Sequence, residues 1–325
     1  MRDGKGKGMG KIKKYIYYFT RALKRMRYFP WRISLLDILN KTLSIIHVYN
    51  LYLLKKMDKA IIDFIETKYG DLINGYACVP HPPRSLDYSG TIWLCWWQGE
   101  EHAPKLVQKC IESIRRNAGN HPVVVITWEN LSQYVELPEH ILALARSGKI
   151  SLTHLSDVLR VKLLAVHGGL WLDSTMFYVT QLDERLWGEP FFSPGATMSK
   201  KGVNFDSRSE DVFWCICLLM AKKAHPVFLC LSEFYYQFYS EYSMEVHYFM
   251  TDYVFSVIVK RLGTLDKLPS YAMEKHAYVR MFDKAAGRKA YEDIPIANFF
   301  QFTYKVRWPE YTTAGKKTAY GALVD

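Results

Sequence analysis

Residues 156–175, SDVLRVKLLAVHGGLWLDST, read as a helix, a stop, a strand and a carboxylate. Ser156 is the expected N-cap, and Asp157 puts negative charge in the first turn, where the helix dipole favours it. Val158, Val161, Leu163, Leu164 and Val166 cover one side, and Gly168 or Gly169 supplies the turn that ends the helix. Leu170–Leu172 is too short for a helix and suits a buried strand. Ligands of open α/β sheets sit beyond the carboxyl ends of strands, which is where Asp173 would lie. Asp157 and Arg160 are three apart and share a helix face, so both point toward the same crevice.

Upstream, Thr91–Trp97 is rich in β-branched and aromatic residues and reads as a first buried strand. Pro104 opens a helix running to about Arg116, with Arg115 and Arg116 at its negative end. Val123–Thr127 is a second strand, Pro138 to about Ser147 a helix, and Ile150–Thr153 a further strand. This alternation predicts an α/β fold: a Rossmann-like, mostly parallel sheet covered by helices on both faces.

The 156–175 stretch resembles the S-D-x-x-R…G-G-x-x-x-D block of nucleotide-sugar glycosyltransferases with a GT-A fold. The nearest likeness is to capsular polysaccharide synthesis proteins, related to glycosyltransferase family 32. IWLCWWQGEEHAPKLVQKCIESIRRN (Ile92–Asn117) is similar to that family's opening strand and helix. HYFMTDY (His247–Tyr253) is similar to its later aromatic–acid segment, and TYKVRW…TAYG is a weaker match near the end. The likeness runs over about residues 90–255, with its blocks in the family's order.

What the resemblance implies is sugar transfer from a nucleoside diphosphate sugar to a glycan or lipid-linked acceptor in surface polysaccharide synthesis, with retention of configuration. A departing diphosphate needs its charge neutralised by a divalent cation or by cationic side chains. Asp173 would hold Mn²⁺ or Mg²⁺, since hard oxygen ligands suit both. The family's acid–any–acid motif has Thr175 in place of its second acid here, so the missing ligand falls to His247, to Asp252 or to water. By the same likeness Asp157 and Arg160 contact the donor, and Asp252 lies near sugar or acceptor. Trp97, Gln98 and Gly99 end the first strand, where a ring can stack on the base and a glycine lets backbone approach. Thr127 at the second strand's end and Lys305 near the C-terminus are further donor contacts. Each has a plainer alternative: Asp173 a turn residue, Asp157–Arg160 a surface pair, Trp97 and His247 core, Lys305 solvated.

Composition bounds the rest. Residues 1–70 hold 16 Lys/Arg and 5 Asp/Glu, so the whole formal charge of +11 sits there and the remainder is neutral. That argues against nucleic-acid binding, which needs cations on the folded domain. Ile12, Tyr15, Ile16, Phe19, Leu23 and Met26 form an apolar arc, with Lys13, Lys14, Arg21, Lys24 and Arg25 on the other side. This predicts a basic amphipathic extension (1–70) whose residues 1–30 lie on an anionic membrane surface, then a Pro-rich connector (71–89) and the transferase domain (90–325). Further helices are expected over 33–69, with Gly70 as their stop. The longest apolar run, Thr42–Leu54, falls short of the roughly 20 residues a span needs. The six cysteines show no C-x-x-C pair and read as reduced thiols. The expectation is a cytoplasmic protein, peripheral on the inner face of the membrane. A catalytically inactive scaffold of a polysaccharide assembly is the alternative, prompted by Thr175.

Overall fold

The computed structural model describes residues 11–45, 48, 50–82, 90–182, 184–193, 216–263, 278–280, 286–294 and 299–324. Its centre is a 5-stranded sheet built from β1 (Ile92–Cys95), β2 (Val123–Ile126), β3 (Gly169–Leu172), β5 (Phe191–Phe192) and β6 (Leu218–Ala221). The spatial order is β2-β1-β3-β6-β5. β1 pairs in parallel with β2 and β3, and β6 runs antiparallel to both its neighbours, so only β6 opposes the common direction. The architecture is mixed α/β with a mostly parallel sheet, compatible with a Rossmann-like fold. A smaller sheet joins β4 (Met176–Tyr178), β8 (Phe299–Gln301) and β7 (Tyr278–Arg280) in the order β4-β8-β7.

Strand residues alternate between the two faces, as the pleat dictates. Ile92, Leu94, Leu170, Leu172, Leu218 and Met220 pack with Val107, Ile111 and Ile114 of α4 (Lys105–Asn117). Trp93, Trp171, Leu219 and Ala221 face the opposite layer, formed by α7 (Leu152–Val166), α8 (Pro226–Glu241) and α9 (Met250–Arg261). Both faces of the strands are covered, which is why they read as continuous apolar runs.

Three expectations are corrected. Ile150–Thr153 is no strand: Ser151 is the N-cap of α7, its Oγ accepting from the His154 amide at 3.2 Å. Ile150 is buried without a ladder partner among the described residues, and Leu152, Leu155 and Leu159 keep helical spacing. α5 (Leu131–Tyr134), α6 (Glu139–Arg146) and α7 therefore follow one another directly. Ser156 is consequently mid-helix, its hydroxyl bonded back to Leu152 O at 2.9 Å. Gly70 does not stop a helix either. α3 spans Leu51–Gly75, and the Arg261 guanidinium lies 3.6 Å from where a Gly70 Cβ would stand.

The N-terminal helices α1 (Lys11–Arg25), α2 (Trp31–Ile45) and α3 are not set apart. Phe29, Ile33, Leu54, Ile61, Ile65 and Tyr69 belong to the same apolar core as α7, α8 and α9. No break in packing corresponds to a boundary at residue 70. Among the described residues no helix is long and apolar enough to cross a membrane. Cys110, Cys217 and Cys230 are buried free thiols, Cys95 is half-buried and Cys78 exposed. Cys215, Pro83, Arg84 and the side chains of Ile12, Lys13, Lys14 and Tyr15 lie outside the described residues.

Candidate active site

Gly168 follows the α7 C-cap at φ +70°, and a Cβ there would stand 2.6 Å from the Lys223 amide nitrogen. Only glycine turns the chain in that space, and the turn feeds β3 into the sheet between β1 and β6. At the exit of β3 the Asp173 amide donates to Cys217 O at 2.9 Å and the Ser174 hydroxyl to Cys95 O at 2.7 Å. The turn is thus pinned to strands on both sides. The Asp173 side chain remains 29% exposed, so the carboxylate is neither sealed in nor loose.

Its Oδ1 accepts from the Trp171 indole at 3.0 Å and lies 3.4 Å from the Arg160 guanidinium. Arg160 also meets Asp157 Oδ1 at 2.9 Å, donates to Ile216 O and sits 5.0 Å from the Trp171 ring centroid. Asp157 Oδ2 accepts from Thr251 at 3.1 Å, and Thr251 meets the Tyr235 hydroxyl at 2.5 Å. The spacing of three does bring Asp157 and Arg160 together. Both are buried, and the contacts they make are with Thr251, Ile216 O and Asp173 rather than on an open face as the donor reading expects. Burial pushes the Asp157 carboxyl up, against the pull of Arg160 and His154, and Asp173 and Asp252 add to the rise. Asp252 is buried in the first turn of α9, beside this cluster rather than open to a ligand.

At the ends of β1 and β2 the aromatic roles are exchanged. Trp97 is core: its indole donates to Ser156 Oγ at 2.9 Å and Leu152 O at 3.2 Å. The exposed ring is Trp128, with its centroid 4.5 Å from that of Trp97. Gln98 is exposed, and Gly99 takes φ +91° with Glu101 Oε1 only 2.2 Å from a would-be Cβ. The Thr127 hydroxyl accepts from the Glu129 and Asn130 amides, so it shapes the turn that presents Trp128. Lys305 is exposed, 5.9 Å from the Tyr304 ring, which meets Trp96 at 5.3 Å. Phe302 N donates to Thr175 O at 3.0 Å, and that bond brings this C-terminal segment to the Asp173 turn.

His247 is taken up elsewhere, and its reading as a metal ligand is corrected. Its Nε2 lies 3.7 Å from Asp37 of α2, and its Nδ1 accepts from the Phe249 amide. Burial pushes this imidazole down, against the pull of Asp37. Two residues that sequence reasoning missed lie close by. Tyr248 is exposed at the surface, and desolvation and the carboxylates of Asp157, Asp173 and Asp252 push its phenol up. His154 meets Glu245 at 2.7 Å and Tyr248 O at 3.3 Å, so it holds the Tyr248 backbone to α7.

Among the described residues no group of three His, Cys, Asp or Glu side chains could hold a metal by itself. Asp173 and Thr175 offer a carboxylate and a hydroxyl, hard oxygen ligands of the kind Mg²⁺ takes together with water and phosphate oxygens. A depression lined by Tyr134, Leu137, Lys162 and Tyr236 shares no residue with the acid cluster. A sequence model of the capsular polysaccharide synthesis protein family matches residues 44–323, and the chain belongs to that family. No curated protein matches it.

Proposed function

We propose that this member of the capsular polysaccharide synthesis family is a retaining glycosyltransferase of GT-A type. Family membership points to a role in capsule biosynthesis. The finer reading moves a sugar from a nucleoside diphosphate sugar to a glycan or lipid-linked acceptor. The observation that carries it is the Asp173 carboxylate: it leaves a buried strand, is fixed by Trp171 and Arg160, and is still 29% exposed.

Electrostatics decides what can bind there. Asp173 and Asp252 both raise the Asp157 carboxyl, and Arg160 meets Asp157 at 2.9 Å and Asp173 at 3.4 Å. A diphosphate adds more negative charge, so binding next to these carboxylates needs a countercation. Asp173, with the Thr175 hydroxyl, would hold Mn²⁺ or Mg²⁺ there, where the ion's chemistry is to stabilise the leaving diphosphate. Trp171 and Arg160 keep Oδ1 of Asp173 in place. Trp128 offers its face to the base, as an exposed ring on a fixed turn. Tyr248 and Tyr304 are exposed aromatics suited to sugar faces on the acceptor side.

Thr175 in place of an acid favours the second reading, a scaffold that kept the fold and lost turnover. The separating experiment is a panel of nucleoside diphosphate sugars followed by thermal unfolding and by release of the nucleoside diphosphate, with Mn²⁺ and with EDTA. Stabilisation by one donor, greater with Mn²⁺ and accompanied by turnover, is the expected result; a working site stabilises by linkage. Stabilisation without turnover on any acceptor supports the scaffold. No response to any donor removes the transferase reading and leaves the scaffold.

A further inference from the structure

We infer that α1, α2 and the start of α3 form a docking face for an anionic lipid bilayer, built by turning an amphipathic helix inside out. A helix on a soluble protein buries its apolar stripe and shows its charges to water. α1 does the reverse. Two of its cations turn to acids of the protein while Lys24 stays exposed: Arg25 is buried against Asp37 at 2.8 Å, and Arg21 reaches the buried Glu245 at 2.8 Å. Its apolar stripe points outward, with Ile16 54%, Phe19 42% and Leu23 47% exposed. Arg21 and Arg25, expected among the cations that meet anionic lipid, are instead taken up by acids of the protein.

The stripe continues beyond α1. Tyr28 and Trp31 are exposed at the turn into α2, and Leu35 and Leu39 repeat the spacing of four along it. Leu51 and Tyr52 add to it at the head of α3. Most of the large apolar side chains exposed among the described residues fall between 16 and 52. A patch of this kind on a soluble chain marks a surface that something covers.

What covers it is argued from the residues interleaved with the stripe. Lys24, Arg27, Arg32, Lys55 and Lys56 are exposed, and Lys56 lies 4.5 Å from the centre of the Tyr52 ring. Aromatic rings beside cations at the edge of an apolar face suit the headgroup layer of an anionic membrane. The excess charge of +11 carried by residues 1–70 has the matching sign. No described helix is long and apolar enough to span, so the face lies on the bilayer and does not cross it. The inference does not depend on sugar transfer.

The test is sedimentation of the full chain with vesicles of neutral lipid alone, or of neutral and anionic lipid at about 7:3. The parent is expected to partition at least tenfold better onto the anionic vesicles, and less well as salt is raised. Phe19→Glu combined with Leu35→Glu changes exposed positions only; it should cut partitioning tenfold or more, with unfolding temperature and donor response unchanged. Absence of parent binding overturns the inference. So does a variant that binds within threefold of the parent, since cations alone would then account for the affinity. A parent that self-associates, ignores vesicles and turns monomeric in the variant assigns the face to a second copy of the chain.

Discussion

The molecule holds two charge clusters made from the same residue types, and they differ in sign and in sealing. Around Asp37, one carboxylate is met by Arg25 at 2.8 Å, Lys41 at 2.6 Å and His247 at 3.7 Å, with the Asp37 side chain 4% exposed. Burial works to raise its carboxyl, yet these partners hold it well below the usual carboxylate range. Around Asp173 the exposure reverses: Arg160 meets Asp157 at 2.9 Å and Asp173 at 3.4 Å, Asp252 is near enough to raise the Asp157 carboxyl, and the Asp173 side chain is 29% exposed. A closed, cation-rich set is complete as it stands. The Asp173 set is open, and on the proposed function it takes a cation with its ligand, so that one cluster is a fastening and the other a binding place.

If that contrast is right, the two acids fail in opposite ways when replaced. Asp37→Ala leaves the Arg25 guanidinium buried and unanswered, a loss of about 3–5 kcal/mol. Urea unfolding should show it, and donor affinity measured well below the midpoint should be unchanged. Asp173→Asn should do the converse: unfolding within about 1 kcal/mol of the parent, since Asp157 still answers Arg160, and transfer reduced by about 10²–10³. Equal turnover by purified variant and parent would end the assignment of Asp173. Unfolding of Asp173→Asn at much lower urea would make it a second fastening and erase the contrast.

The strand-end aromatics sharpen the same distinction at smaller scale. Trp128→Ala should weaken nucleoside diphosphate binding by about tenfold, the worth of one stacked ring, with little change in stability. Trp97→Phe should leave binding alone and cost about 1 kcal/mol through the lost indole donor to Ser156 and Leu152. Calorimetric titration and urea unfolding on both variants would expose a reversal of roles.

What could be read beforehand was what is local. Gly168, the short apolar run after it, the acid at its exit and the pairing of Asp157 with Arg160 need only a few residues of context, and the structure keeps each. The failures share one cause. A helical wheel assumes that cations face water, but the acid that turns Arg21 inward is 224 residues away in the chain. Trp97 and Trp128 are both plausible platforms until the fold covers one of them. Ile150–Thr153 has strand-like composition, and what it lacks is a neighbouring strand, which no window of sequence displays. Tyr248 shows no role in the sequence because two of the carboxylates that act on it, Asp157 and Asp173, lie far away in the chain.

The link between the two clusters gives the subtlest expectation. Arg21, Glu245 and His154 run from α1 to α7, and His154 holds the backbone of Tyr248. Burial pushes His154 down, but Glu245 more than offsets it, and the net shift is above the ordinary 6.5. Burial likewise raises Glu245, and His154 and Arg21 bring it below the ordinary 4.5. A raised histidine gives its full stabilisation below 6.5 and loses it as pH climbs through the raised value. A depressed glutamate gives its share above 4.5 and loses it as pH falls through the depressed value. The two therefore act together between 4.5 and 6.5. Glu245→Gln should cost about 2 kcal/mol at pH 5.5 and less above pH 8. In the variant the His154 imidazole, followed by NMR, should titrate below 6.5, since burial is the largest influence left on it. A cost that does not change with pH would mean that the histidine is neutral throughout, and that α1 is tied to the site wall by Arg21 alone.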